Sequence, residues 1–271
     1  MAEILAITNQ KGGVGKTTTA VNLAAGLSVC EKKTLLIDLD PQGNATSGVG
    51  FNKKEYSPSI YQVLLELLPL EKTIKETSLK NLFLAGTGQE LIGAEIELTQ
   101  VIGRENRLKG ALKNLGTPFD YIIIDCPPSL GLLTVNALTA ANRLLLPIQA
   151  EYYALEGLAQ FIETFNHVRA TINPTLKLEG GIITMFDARM ILSNQVKEEI
   201  SKFFGASLFQ TMIPRSVRLA EAPGFGQPIF QYDAKSKGAE AYLALAKELI
   251  QRCEPTAAPT SEQPQETGVQ P

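Results

Sequence analysis

Lys11-Gly12-Gly13-Val14-Gly15-Lys16-Thr17-Thr18 is the segment of this 271-residue chain with the most evident chemistry. Three glycines let backbone N–H groups converge on an anion, and a helix beginning at the end of the run adds positive partial charge. In that frame Lys16 reaches the β- and γ-phosphates of a nucleotide and Thr17 is a ligand for Mg²⁺. Two further segments end apolar runs in carboxylates. Leu35-Leu36-Ile37 leads to Asp38, Leu39 and Asp40, and Ile122-Ile123-Ile124 leads to Asp125. Period two puts Asp38 and Asp40 on one side of their strand. Asp125 has the position of a carboxylate that holds Mg²⁺ opposite a phosphate loop.

These residues need a scaffold that brings strand ends together. Strand-like runs are expected at Ile4–Thr8, Thr34–Ile37, Leu82–Ala85, Tyr121–Ile124, Arg143–Ile148 and Leu178–Met185. Helices are expected from the phosphate loop through Leu27 and at Ile96–Leu115, Leu132–Ala141, Leu155–Arg169, Leu192–Phe204 and Gly238–Ile250. Continuous apolar strands separated by helices predict an α/β fold: a doubly wound, mostly parallel sheet with helices on both faces. Ligands of such sheets bind at the carboxyl ends of the strands, where the phosphate loop falls. The expected organisation is one domain over residues 1–253 and a disordered tail over 254–271. The tail's only large apolar residue is Val269, too little to order it.

Composition narrows the functional classes. Hydrophobic content of 44% and charged content of 20% are those of a globular protein. No apolar run reaches the ~20 residues of a membrane span, and no secretory leader is expected. Cys30, Cys126 and Cys253 have no paired spacing, which fits reduced thiols in a cytoplasm. Cys126 beside Asp125 has no second thiolate in a pattern that would hold an iron–sulfur cluster. His167 is the single histidine, so a His-rich metal site is excluded. Net charge is −3, against a protein dominated by nucleic-acid binding. Yet residues 189–237 hold seven basic residues against four acidic ones.

The common phosphate-loop pattern takes glycine where Gln10 stands, and here a second lysine, Lys11, opens the loop. In this deviant form the chain resembles the ParA/MinD/Soj group of ATPases. The resemblance extends to Glu151-Tyr152-Tyr153-Ala154-Leu155-Glu156-Gly157-Leu158, to Pro214–Pro223 and to Tyr232-Asp233, covers about residues 2–252, and is nearest the chromosomal, Soj-type branch. It implies a P-loop NTPase fold and weak ATP hydrolysis with Mg²⁺, stimulated by a partner. It also implies an ATP-dependent homodimer in which Lys11 reaches the other subunit's nucleotide. Catalytic roles fall on Lys11, Lys16 and Asp40, with Asp40 positioning the attacking water. Metal roles fall on Thr17, Asp38 and Asp125. The loop from Lys11 to Thr18 holds the phosphates and Pro214, Arg215 and Val217 the adenine. The absence of an Asn-Lys-x-Asp guanine reader agrees with ATP.

The same resemblance implies non-specific double-stranded DNA as a partner, with Arg189 and Arg218 at matching positions. Lys197, Lys202, Lys235 and Lys237 would widen the basic surface. Dimerisation doubles the phosphate contacts available to a weakly basic monomer. A ParB-type centromere-binding protein is the implied protein partner, DNA segregation the role, and the nucleoid within the cytoplasm the location. Alternatives are a related ATPase that positions another cargo, a MinD-like membrane switch, and an ATP-dependent ligase on the same scaffold. The membrane reading needs a basic amphipathic C-terminal helix, and the residues after Cys253 have none.

Overall fold

A computed structural model describes residues 2–151 and 154–254. Seven strands form one sheet: β1 (Glu3–Ile7), β2 (Thr34–Asp38), β3 (Ile74–Glu76), β4 (Leu82–Ala85), β5 (Tyr121–Asp125), β6 (Arg143–Gln149) and β7 (Lys177–Thr184). Their order is β3-β4-β2-β5-β1-β6-β7, and every pairing is parallel except β3 with β4. The helices are α1 (Lys16–Val29), α2 (Asn44–Gly48), α3 (Ile60–Leu64), α4 (Leu91–Leu98), α5 (Arg107–Lys113), α6 (Leu132–Ala140), α7 (Ala154–Thr171), α8 (Ile191–Phe204), α9 (Val217–Glu221), α10 (Ile229–Tyr232) and α11 (Lys237–Cys253). The doubly wound, mostly parallel sheet expected from the sequence is the fold observed.

The strands are apolar throughout because both faces are covered, and their alternation sorts the core into two layers. Leu5 and Ile7 of β1, Leu36 of β2, Ile123 of β5 and Leu145 of β6 pack with α1 and α11. Their neighbours Ala6, Leu35, Ile37, Ile122, Ile124, Leu144 and Leu146 pack on the other face, with residues of α4 to α8. The same alternation fixes where the strand-end carboxylates go. Asp38 follows Leu36 by two and Asp125 follows Ile123 by two, so both belong to the α1 face. The parallel register sets Asp38 directly beside Asp125.

Helix α1 lies against α11 at a separation that Gly26 permits. A methyl group there would come 3.1 Å from both Ala246 Cβ and Tyr242 O. Tyr242 closes the contact by placing its hydroxyl 3.2 Å from Thr19 Oγ1. The base of α1, which carries Lys16, Thr17 and Thr18, is thereby fixed to two buried layers.

Two expectations need correction. The helix expected over Ile96–Leu115 is two helices, α4 and α5. Gly103 between them takes φ +68°, and a one-turn 3-10 segment follows at Arg104–Asn106. Helix α4 has already ended at Leu98, and Gly103 is the N-cap of the 3-10 segment that leads into α5. The last strand stops at Thr184, one residue earlier than expected, because Met185 adopts φ +51°. The 3-residue edge strand β3 and the one-turn helices α2, α3, α9 and α10 were not foreseen. His167 is exposed on α7. Tyr152, Tyr153 and residues 255–271, which include nearly all of the expected tail, lie outside the described residues. No helix among the described residues is long and apolar enough to cross a membrane.

Candidate functional site

Strand β1 runs between β5 and β6, so the loop after it opens at the centre of the sheet's carboxyl edge. Gly13 and Gly15 take φ +76° and +86°, values that side-chain-bearing residues reach at a cost of roughly 1–2 kcal/mol. Gly15 is the N-cap of α1 and offers no side-chain cap. The first N–H groups of α1 are therefore left for an anion. The loop is braced from below, where Thr184 Oγ1 donates to Val14 O at 2.8 Å. At its start the Lys11 amide donates to Asn9 Oδ1 at 3.0 Å, and Asn9 Nδ2 donates to Pro147 O at 2.8 Å.

A cavity of about 380 Å³ sits over this loop, lined by Gly12, Gly13, Gly15, Lys16, Thr17, Thr18, Asp40, Gln42, Asn44, Pro128 and Met185. Lys16 is buried and curls back so that Nζ donates to Lys11 O at 3.0 Å. Burial pulls its pKa below the usual lysine value, and the charges of Asp125 and Asp40 oppose that shift.

The three carboxylates differ in how they are satisfied. Asp38 is fully buried with both oxygens engaged. Oδ2 accepts from the Thr46 amide and hydroxyl, each at 2.7 Å, and Oδ1 accepts from the Asp40 amide at 3.1 Å. Thr46 is the third residue of α2, whose N-cap Gly43 has no side chain, so Asp38 caps that helix from the sheet. Burial nevertheless pushes its carboxyl up to about 6, against the Thr46 bonds. Asp40 has Oδ1 accepting from the Gln42 amide at 2.9 Å and lines the cavity.

Asp125 is fully buried, and neither oxygen has a donor in hydrogen-bonding geometry among the described residues. Burial first, then the neighbouring Asp38 charge, hold its carboxyl well above the ordinary range. The Thr17 hydroxyl and Lys16 lie near enough to pull it down in part. An unsatisfied buried carboxylate costs several kcal/mol unless a cation compensates it. With the hydroxyl of Thr17 at hand, this donor set fits a hard divalent ion that keeps most of its waters, as Mg²⁺ does. No cluster of three or more acidic, histidine or cysteine side chains able to hold a metal alone occurs among the described residues. A metal held here would need ligands beyond Thr17 and Asp125.

Lys11 is not among the residues lining this cavity. Its Nζ pairs with Glu151 Oε2 at 3.1 Å, in the loop after β6. Pro214 and Arg215 line a second, smaller cavity of about 160 Å³ with Gly15, Thr18, Thr184 and Met185, and it shares Gly15, Thr18 and Met185 with the first. Val217 does not join them. Ser216 caps α9 by accepting from the Leu219 amide at 3.5 Å. That turn sends Leu219 inward and leaves Val217 72% exposed.

The basic residues lie on three elements. Arg189, Lys197 and Lys202 are on α8 or just before it, Arg218 is on α9, and Lys235 and Lys237 are at the start of α11. Several already have carboxylate partners. Arg189 is bound by Asp187 at 2.9 and 2.7 Å, Lys202 by Glu199 at 2.5 Å, and Arg218 by Glu221 at 3.1 Å. Lys197 Nζ lies 5.8 Å from the centre of the Phe186 ring. Lys235 and Lys237 are exposed.

Sequence reasoning did not single out Thr46 or Asn9, and it named Glu151 only within a resembling segment, not as a partner of Lys11. Thr46 had a local signal, a helix start without its own cap after a strand-end carboxylate. The Lys11–Glu151 pair joins positions 140 apart and had none.

A family model described as AAA domain matches residues 2–178. The chain is 51% identical over 255 residues to a Chromosome partitioning protein ParA of Myxococcus xanthus, covering 94% of this chain and 90% of that one. It is 53% identical over 249 residues to the Sporulation initiation inhibitor protein Soj of Bacillus subtilis, covering 92% and 98%. Among solved structures it is similar to Cobyrinic Acid a,c-diamide synthase from Mycobacterium smegmatis with bound ADP and magnesium. That match has a TM-score of 0.83 and 37% identity, over 94% of this chain and 96% of the other.

Proposed function

The chain belongs to the AAA domain family and, within it, to the ParA/Soj group of partitioning ATPases, and on that premise we propose that it is an ATP-dependent dimerising switch that binds DNA and drives its segregation. The observation that carries the nucleotide half of this reading is Asp125. A fully buried carboxylate without a hydrogen-bond donor among the described residues, beside Lys16 and Thr17 under a glycine loop, would be stabilised by a bound Mg²⁺–nucleotide complex. The ion's contribution is charge neutralisation on the phosphates, with Thr17 and Asp125 as its protein side. Asp38 acts through α2, which it caps, and so sets the loop that carries Asp40 and Gln42.

The remaining roles belong to side chains of the chain. Lys16 exchanges the Lys11 carbonyl for phosphate oxygens, and the amides from Gly12 to Thr18 complete the cradle. Asp40 orients the attacking water. Adenine occupies the cavity at Pro214 and Arg215. Lys11 leaves Glu151 and reaches the nucleotide of a second copy, which makes dimerisation conditional on ATP. Hydrolysis is slow alone and quickened by a ParB-type partner.

DNA binding is proposed at Arg189 and Arg218, with Lys197, Lys202, Lys235 and Lys237 around them. Arg189, Arg218 and Lys202 have carboxylate partners, so phosphates must displace Asp187, Glu221 with Asp233, and Glu199. Binding is then weak per subunit, salt-sensitive and dependent on pairing. The nucleoid is the expected location. A related ATPase moving another cargo would use the same chemistry. A metabolic ATP-dependent enzyme is the reading that the Mycobacterium smegmatis neighbour's name favours, but that identity is 37% against 51% and 53% for the partitioning relatives.

The test is DNA retention titrated with ATP, with ADP and without nucleotide, alongside phosphate release. Retention with ATP alone, falling as salt rises, is expected. Equal retention in all three conditions, or no phosphate release, overturns the proposal.

A further inference from the structure

A further hollow lies at the amino ends of the strands, across the sheet from the phosphate loop. Strand β1 has five residues, so roughly 16 Å of sheet separate the two. The hollow is a cavity of about 740 Å³ between the first residues of β1 and β5 and helix α5. That volume is in the range of small-molecule sites. Its floor is apolar. Phe119 and Ile122 are buried, while Ile4, Leu112 and Leu115 pack on the core with part of their surface uncovered. The cause is local: α5 ends at Lys113, the chain returns to β5 through Gly116, Thr117 and Pro118, and Ala140 at the end of α6 fills little of the space between.

The charged side chains around this floor divide into two groups. Each acid has a donor. Glu3 Oε2 accepts from Arg143 Nε at 2.6 Å, Asp120 Oδ2 from the Lys33 amide at 2.7 Å, and Glu254 pairs with Lys32 at 2.9 Å. Glu71, beside the return to β5, accepts from the Gly116 amide at 2.8 Å. The lysines of α5 have no such partners. Lys109 and Lys113 line the cavity, and neither side chain makes an ion pair or hydrogen bond among the described residues. They are four positions apart and so lie one turn from each other on the rim. Lys33 Nζ, 5.3 Å from the centre of the Phe119 ring, is a third ammonium without a carboxylate among the described residues. Donors without acceptors over an apolar floor are complementary to a molecule that is apolar along its length and anionic at one end.

We propose that this cavity binds a free long-chain carboxylic acid, one molecule per chain. The hydrocarbon lies on Ile4, Leu112, Leu115, Phe119 and Ile122, and the carboxylate meets Lys109 and Lys113. The site stands on the cavity and its rim and is independent of the ATPase reading. The chain's own continuation past Glu254 is a poorer occupant, because Val269 is its only large apolar residue and gives the floor little to bury.

The probe is dodecanoate below its micellar concentration, titrated into the full chain by calorimetry. Saturation at one molecule per chain is expected. Butanoate keeps the carboxylate but little of the chain and is expected to bind at least about a hundredfold more weakly. Dodecyltrimethylammonium keeps the chain with the opposite charge and is expected to bind at least about tenfold more weakly. Replacing both rim lysines, Lys109→Gln with Lys113→Gln, is expected to weaken dodecanoate binding roughly tenfold or more. Both lysines are exposed, so far-UV circular dichroism of the double variant should match that of its parent. Absence of saturable binding, several molecules per chain, equal affinity for the cationic amphiphile, or unchanged affinity in the double variant overturns the site. Sedimentation with anionic phospholipid vesicles by a protein that ignores dodecanoate overturns it in favour of a membrane surface. Tighter dodecanoate binding by a Val269→Ser chain overturns it in favour of the chain's own C-terminal segment.

Discussion

Replacing Asp125 by asparagine is expected to stabilise the nucleotide-free protein while removing its response to magnesium. Burial and Asp38 hold the Asp125 carboxyl well above its usual range. A carboxylate ordinarily titrates near ~3.9, and each pKa unit is worth about 1.4 kcal/mol. Leaving an ionised carboxylate buried without a donor handicaps the native state by several kcal/mol. A buried amide with imperfect partners costs about 1–3 kcal/mol in turn, and Lys16 loses one of the charges that support it. The difference is a gain of about 1–2 kcal/mol, or roughly 2–6 °C in melting temperature for a chain of this size. A raised native pKa means that the handicap grows as pH rises above the unfolded value and vanishes as pH falls. The advantage of Asp125→Asn over wild type should therefore shrink as pH falls from 7 towards the unfolded value. Thermal melts by circular dichroism, with and without Mg²⁺–ATP, read all of this. Wild type should gain about 2.7 kcal/mol at a hundredfold excess over the dissociation constant, and the variant should lose the magnesium-dependent part. A variant that melts below wild type without nucleotide, or a gap that widens at pH 5, refutes the reasoning.

Thr46→Val removes a donor from Asp38 and the acceptor of the Thr87 amide, which lies 3.0 Å from Thr46 Oγ1; urea denaturation should show a loss of roughly 2–3 kcal/mol. The same variant should raise the Asp38 carboxyl above its present value of about 6, since a bond that lowers it is gone; carboxyl NMR titration reads the shift. Asp40→Ala should lower phosphate release at least about a hundredfold while leaving the affinity for a fluorescent ATP analogue within a few-fold. Arg189→Glu should abolish ATP-dependent DNA retention without changing phosphate release in the absence of DNA, as a filter-binding assay would show.

The parts of the fold and site that the sequence made legible are those with short-range causes. β1, the glycine loop and α1 are contiguous, and each declares itself by apolar runs or by glycine. The Asp125 strand shows as four apolar residues closed by an acid, and the six long parallel strands as near-continuous apolar runs. The split of α4 from α5 was hidden because apolar residues recur on both sides of it, and the stop at Leu98 has no glycine or proline beside it to mark it. β3 was hidden because three residues at a sheet edge owe their conformation to β4. Asp38's engagement with Thr46 and the pairing of Lys11 with Glu151 depend on how distant segments meet. The cap at Ser216 that turns Val217 away from Pro214 and Arg215 is decided by one hydrogen bond.

ATP joins two copies through Lys11 on this reading, and particle mass reports that pairing. Light scattering on the Asp40→Ala protein, which holds its nucleotide, should give twice the monomer mass with ATP and the monomer mass with ADP. Adding Lys11→Ala should keep it monomeric in both. A mass that ignores the nucleotide, or a Lys11→Ala protein that pairs as readily as its parent, would contradict the account.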